Sequence, residues 1–229
     1  CSALNTFQVD AIASLAGETR SPRILDIKTR IGGFGGVAGL SQFITDNKIN
    51  WVIDATHPFA VQMSNTNATV CTSLGLPTIS LQRPPWGPTT ADNWHFIDRI
   101  SELPDLIPEG ANVFVGTGRK TLAEYHVLEG RRLLCRVIDS PVGEFPFQGG
   151  AFQVGRPPFS VEEEVALFRK ESIDWIVVKN AGGTGGFSKL VAAREMGLPV
   201  AMINRQSQNN CEMVTSVSDA LDWIQGILS

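Results

Sequence analysis

The chain has 229 residues, 43% of them hydrophobic and 18% charged, with a formal net charge of −4. Such a chain can bury a sizeable core in one or two domains, and its slightly acidic balance gives nucleic acid no general attraction. No apolar run approaches the about 20 residues that span a bilayer, and the start shows no charged segment followed by an apolar one, so neither a membrane span nor a secretory leader is expected.

In chain order, residues 11–17 read as a strand closed by a Gly-Glu-Thr-Arg-Ser-Pro turn, and residues 23–28 alternate as a short edge strand. Four glycines in five positions (Gly32, Gly33, Gly35 and Gly36, around Phe34) then feed a helix over 37–47. Trp51, Val52 and Ile53 form a short buried strand whose carboxyl end carries Asp54, Thr56 and His57. Pro58 is expected to open the next helix, since a missing N–H costs nothing in the first turn. That helix runs to Leu74, with Gly75 just past its end, and residues 78–83 are the next strand.

A rigid Pro-Pro-Trp-Gly-Pro excursion leads to a short strand at 95–97. Further strands are expected at 112–115, 132–139, 175–178 and 200–204, with short ones at 152–154 and 213–215. Helices lie between them, at about 119–128, after Ser160, up to Met196 and over 219–228. Ser160 with Glu163 three residues on has the spacing of a capping box.

Alternating strands and helices imply an α/β protein with parallel sheets flanked by helices. The stretch from Trp51 through Gly75-Leu76-Pro77 to Arg83 is echoed from Trp175 through Gly197-Leu198-Pro199 to Arg205. Two similar α/β halves are therefore expected, over 1–100 and 101–229, with a cleft between them.

Ligands in open α/β sheets bind outside the carboxyl ends of the strands. Three loops there share one design, a strand followed by glycines and a helix start, which lets backbone N–H groups approach an anion. They are Gly32 to Gly36, Gly116 to Lys120, and Lys179 to Gly186. None is a Walker loop, and the first does not match G-x-G-x-x-G. Arg30, Arg83, Arg119, Lys120, Lys179 and Arg205 fall at or just past strand ends and suit an anionic ligand. Arg169, Lys170 and Arg194 fall within helices and read as solvated. There is no G-x-S-x-G elbow and no paired-carboxylate motif, and only three histidines are present. The four cysteines are scattered, which suits reduced thiols in the cytoplasm and no metal site.

The segments R-I-G-G-F-G-G at 30–36, D-A-T-H-P-F-A at 54–60 with Ser64, Asn67 and Ala68, L-x-R-P-x-W at 81–86, G-x-G-R at 116–119 and K-N-x-G-G-T-G at 179–185 together resemble the precorrin-6A reductase family. The likeness runs from about Ser14 to the C-terminus. It implies a cytoplasmic enzyme of cobalamin biosynthesis with two Rossmann-like domains, acting on an anionic tetrapyrrole. In such an enzyme NADPH delivers hydride to C19 of precorrin-6A and a proton is added at C18.

The resemblance places Ser14, Gly17 and Arg20 near the adenosine ribose, Gly32, Gly33, Phe34, Gly35 and Gly36 along the cofactor, and Thr56 beside the nicotinamide. His57 or Asp54 would relay the proton, unless an ordered water does so. Arg30, Arg83, Arg119, Lys120, Lys179, Asn180, Gly182, Gly183 and Thr184 would hold the ring carboxylates. The family's opening strand and Gly-Gly-Thr loop have no counterpart before Ala11, and are expected either upstream of residue 1 or lost. Glu18 suits NADH and Arg20 suits NADPH, and the reading favours NADPH. The cobalt-containing ring and a non-catalytic tetrapyrrole or nucleotide binder are the alternatives.

Overall fold

The computed structural model describes residue 4 and residues 9–17, 25–141, 143–206 and 211–228. Its strands are β1 (Ile12–Leu15), β2 (Lys28–Ile31), β3 (Val52–Asp54), β4 (Thr78–Leu81), β5 (Trp94–Ile97), β6 (Asn112–Val115), β7 (Arg132–Val137), β8 (Ala151–Val154), β9 (Trp175–Lys179), β10 (Val200–Ile203) and β11 (Glu212–Val214). Its α-helices are α1 (Gly36–Asp46), α2 (Val61–Leu74), α3 (Leu103–Leu106), α4 (Val161–Lys170), α5 (Ser188–Met196) and α6 (Val217–Leu228), and Arg119–Leu128 is a 3-10 helix. None of the described helices is long and apolar enough to cross a membrane.

The chain forms two compact units, Cys1–Arg83 with Ser207–Ser229, and Pro84–Gln206. The first holds two parallel sheets, β1-β2 and β11-β4-β3. Its helices α1 and α2 meet through Leu40, Ile44 and Val70, with Phe34, Val52 and Leu76 packed around them. The second unit holds a six-stranded parallel sheet, ordered β5-β10-β9-β6-β7-β8. Its core joins Phe114, Ile176, Val178 and Met202 of the sheet to Phe168 of α4 and Leu190 of α5. Ile176, Val177 and Val178 are all buried, as a parallel strand covered on both faces requires.

The echo in sequence is an echo in structure. In β3-α2-β4 and β9-α5-β10 the strands pair in parallel, Val52 with Thr78 and Ile176 with Val200. Both helices end on a left-handed glycine, Gly75 at φ 63° and Gly197 at φ 66°. The next N–H then turns back, Leu76 to Cys71 O at 2.9 Å and Leu198 to Ala193 O at 2.8 Å, which closes each helix in a Schellman motif. The Ser160–Glu163 capping box also forms.

Four expectations change. The division at residue 100 gives way to an exchange of strands: β5 joins the second unit beside β10, while β11 and α6 return to the first, β11 beside β4. A strand's apolar pattern identifies it as a strand but does not name its neighbour. Pro58 does not open α2, which starts at Val61, because the N–H groups of Thr56, Phe59 and Ala60 are satisfied within the preceding segment. The short strand expected at 23–28 is β2, shifted toward the glycine loop; residues 23 and 24 lie outside the described residues. The segment after Gly118 winds as 3-10 rather than α-helix.

In the six-stranded sheet the chain runs outward from β6 through β7 to β8, then returns to β9 on the other side of β6. The crossovers therefore reverse direction between β6 and β9, which is the point where an open sheet leaves a crevice at its carboxyl edge.

Candidate functional site

Two groups of residues are built at strand ends, one in each unit. In the first unit, β1 and β2 pair in register so that Ser14 faces Arg30. The Arg30 guanidinium does not point away for a ligand as its sequence position suggests. It turns back, donating to Ser14 Oγ (2.8 Å), Gly32 O (2.9 Å) and Gly33 O (3.0 Å), and lies 3.9 Å from the centre of the Phe34 ring. Arg30 thus shapes the glycine loop instead of presenting a charge.

Gly32, Gly35 and Gly36 have φ of 116°, 80° and 84°, a region that side chains rarely adopt. No side chain caps α1 at Gly35, and its first turn carries no acid, so the loop offers uncapped N–H groups at the positive end of the helix dipole. A residue that sequence reading missed, Gly39, supports it from below: a Cβ there would lie 1.7 Å from Phe34 O. Gly17 closes β1 at φ 78°, while Arg20 lies outside the described residues.

At the end of β3, Asp54 is buried and its Oδ1 accepts the Thr56 N–H at 3.0 Å. Thr56 Oγ1 and Ser64 Oγ are 3.1 Å apart, and Ser64 is buried. His57 is exposed, and its Nδ1 accepts the Phe59 N–H at 3.2 Å. A ring nitrogen that accepts carries no hydrogen, so this bond suits the neutral ring with its proton on Nε2. Arg83 is exposed just past β4.

In the second unit the loops after β6 and β9 flank the reversal point. Gly116 follows β6, and a Cβ there would crowd Val178 Cγ1 at 3.1 Å. Thr117 Oγ1 lies 3.1 Å from Thr121 Oγ1 and 3.0 Å from the hydroxyl of buried Tyr125, which anchors the loop from behind. Burial raises the Tyr125 phenol well above the ordinary tyrosine range, so it stays neutral. Arg119 and Lys120 sit exposed at the start of the 3-10 helix.

Lys179 ends β9 half-buried. Burial pushes its ammonium below the ordinary lysine range, Glu124 opposes that push and Lys120 adds to it. Lys120, Glu124 and Lys179 are therefore electrostatic neighbours at the crevice.

The next residues do something the sequence did not suggest. Asn180, buried, spends its side chain on backbone: Oδ1 accepts the Trp86 N–H at 2.7 Å and Nδ2 donates to Trp86 O at 3.0 Å. Trp86 Nε1 donates to Gly183 O at 2.6 Å, and Arg205 Nε donates to Asn180 O at 2.8 Å. Gly182 has φ 69°, and a Cβ there would lie 2.1 Å from Pro84 O. Asn180, Gly182 and Gly183 form the seat of the Pro84–Trp86 segment, and the Asn180 side chain is engaged there. Thr184 stays exposed.

Two further cations serve the fold. Lys189 Nζ donates to Gly186 O at 2.6 Å from the first turn of α5, holding the far end of the loop. Arg194, read as solvated, grips Asp92 with two bonds of 2.9 and 3.0 Å. The motif L-x-R-P-x-W carried the signal for Trp86, while nothing local announces a partner about a hundred residues away.

The chain has counterparts among known proteins. The family described as precorrin-6x reductase CbiJ/CobK matches residues 1–225. The precorrin-6A reductase of Rhodobacter capsulatus is 36% identical over 216 residues, covering 94% of this chain and 86% of the relative. That of Mycobacterium tuberculosis is 38% identical over 226 residues, covering 96% and 90%. A cobalt-precorrin-6A reductase of Methanothermobacter thermautotrophicus is 29% identical over 206 residues, covering 83% and 66%. A solved structure of a CobK precorrin-6A reductase superposes with a TM-score of 0.92 at 34% identity, covering 98% of this chain and 90% of that one.

Proposed function

The chain belongs to the precorrin-6x reductase family, the oxidoreductases that act on the corrin precursor in cobalamin biosynthesis, and we propose that it reduces precorrin-6A with NADPH. The observation that carries this reading is the reversal point between β6 and β9, with Arg119, Lys120 and Lys179 at its mouth. A macrocycle bearing several carboxylates needs cations gathered at one sheet edge, and this is where the fold gathers them.

The first unit suits the cofactor. Its left-handed glycine loop leaves backbone N–H groups at the uncapped start of α1, which fits a nucleotide phosphate. Gly32, Gly33, Phe34, Gly35 and Gly36 would hold it, with Arg30 shaping the loop and Ser14, Gly17 and Arg20 at the ribose. The nicotinamide, when bound, supplies a hydride for C19 of the ring. Everything else falls to the protein.

Asp54 fixes the turn through the Thr56 N–H, and Thr56 and His57 on that turn are the residues this reading assigns to the reacting groups. Arg83, Arg119, Lys120 and Lys179 hold carboxylates, and Asn180 with Gly182 and Gly183 keeps the neighbouring loop in shape through Trp86. The preference for NADPH over NADH is assigned to Arg20. Burial raises the Cys135 thiol to about 11, so it is inert, and the buried free Cys71 and Cys135 suit the cytoplasm.

The test is direct. Purified protein is given precorrin-6A with NADPH or NADH, following loss of nicotinamide absorbance and the gain of two hydrogens by the ring. Turnover with NADPH is the expected result. Turnover only of the cobalt-containing ring would move the substrate to the metallated series, and tight ring binding without cofactor oxidation would leave a binder.

A further inference from the structure

We propose that Tyr125 is a positioning residue for ring binding: its buried hydroxyl, acting through Thr117, fixes the loop after β6 that presents Arg119. The inference rests on the reductase reading above, which puts a ring carboxylate at the reversal point of the second unit.

The loop is short and has little of its own to hold it. Gly116 still belongs to the sheet, its N–H donating to Val177 O at 2.8 Å. Gly118 has φ 80° and opens the 3-10 helix with no side-chain cap. Between these two glycines, which leave the backbone free to take many conformations, Thr117 carries the one side chain. That side chain is tied. Its Oγ1 lies 3.0 Å from the Tyr125 hydroxyl and 3.1 Å from Thr121 Oγ1. A hydroxyl has one hydrogen and two lone pairs, so Thr117 can hold both partners at once.

Tyr125 is suited to be the fixed end of this line of hydroxyls. It is among the largest fully buried side chains, and a close-packed interior gives its ring no room to follow the loop. Burial keeps the phenol neutral, so the hydrogen that the bond needs stays in place. Phenylalanine would fill the same space, and a buried tyrosine hydroxyl is unfavourable unless it has a partner. Here that partner is the loop.

Arg119 follows Gly118 directly and is exposed. A hydroxyl deep in the second unit thereby sets where an exposed cation starts. The loop after β9 is held in a comparable way by Trp86 and Lys189, which donate to Gly183 O and Gly186 O. A loop already fixed in its binding shape need not be ordered by the ligand, so less affinity is lost on binding.

The experiment titrates precorrin-6A, followed by the macrocycle's absorbance, into Tyr125→Phe, Thr117→Ser and Thr117→Val, and then measures kcat and KM with NADPH. Tyr125→Phe keeps the aromatic packing and deletes the bond. It is expected to raise Kd and KM for the ring by about tenfold, the worth of about one hydrogen bond, with KM for NADPH unchanged within twofold. The change in kcat should be much smaller than the change in the ring's KM. Thr117→Ser keeps the hydroxyl and should bind the ring as the wild type does, whereas Thr117→Val should match Tyr125→Phe. The double variant of Thr117→Val and Tyr125→Phe should bind no more weakly than the poorer single variant, since both changes remove the same bond.

A tyrosine that only fills space gives another pattern, with the ring's Kd unchanged within twofold in Tyr125→Phe, and that result overturns the proposal. Equal ring affinities of Thr117→Ser and Thr117→Val overturn it too, and this pair decides if Tyr125→Phe does not fold. Failure of the wild type to bind the ring or to oxidise NADPH overturns the reductase reading instead.

Discussion

Asn180 and Trp86, 94 positions apart, are joined as closely as two paired strands: the Asn180 amide accepts from the Trp86 N–H at 2.7 Å and donates to the Trp86 carbonyl at 3.0 Å. A side-chain amide sets its carbonyl acceptor beside its NH2 donors, so it completes a backbone as a paired strand would. Removing it leaves two main-chain groups without partners in a partly buried place. Asn180→Ala should cost about 2–3 kcal/mol, the usual penalty for stranding buried polar groups. Thermal unfolding checks this, and the ring's KM should rise with the loss. An unchanged midpoint would mean that water replaces the clamp.

Gly182 faces the same segment from the other side. A methyl there would sit 2.1 Å from Pro84 O on a backbone already at φ 69°. Gly182→Ala should therefore unfold the seat of Trp86 and abolish ring binding. Gly185 has open space around it and no left-handed φ, so Gly185→Ala should fold as the wild type does. Equal midpoints for the two variants would show that steric contact with Pro84 does not govern this loop.

Arg30 tests which ligand the glycine loop of the first unit serves. Its three hydrogen bonds end on Ser14 of β1 and on Gly32 and Gly33 of the glycine loop, all in the first unit. Arg30→Met keeps much of the packing on Phe34 and deletes the bonds. We expect KM for NADPH to rise by about tenfold, equivalent to about 1.4 kcal/mol, with KM for the ring unchanged within twofold. The opposite pattern would return Arg30 to the carboxylates.

Acid should weaken the second unit through Asp92. Burial resists its ionisation, but the Arg194 guanidinium and the Thr89 hydroxyl and N–H outweigh that and hold the carboxyl below its ordinary range. A carboxylate with a lowered native value adds stability above its unfolded value, and that stability is lost as pH falls toward the native one. The acid limb of an unfolding curve should therefore lie below about pH 4 for this pair, the region set by an ordinary aspartate. Arg194→Leu should reduce this acid dependence, leaving the part due to Thr89, and lower the midpoint at neutral pH. If the midpoint is insensitive to the change, the pair is solvated as sequence position alone would suggest.

Much of this molecule was legible one element at a time. The strand at Trp175, the capping box at Ser160 and Glu163 and the paired Gly-Leu-Pro helix ends formed where the pattern put them, because each depends on residues within a few positions. The three glycine loops at strand ends were equally plain. Their roles were not. A cation just past a strand reads the same whether it stays exposed, as Lys120 does, or folds back, as Arg30 does.

By itself, then, the sequence determined the α/β alternation, the echo of β3-α2-β4 in β9-α5-β10, and the motifs that tie the chain to its family, all of which are local or repeated signals. The tertiary structure alone decided which sheet takes β5 and β11, that Asn180 serves Trp86, and that Lys179 stands at the reversal beside Glu124 and Lys120. The reason is physical. Apolar periodicity says which face of a strand is buried, but its hydrogen-bond partner, and the charge beside a given side chain, are settled only when distant segments compete for the same edge.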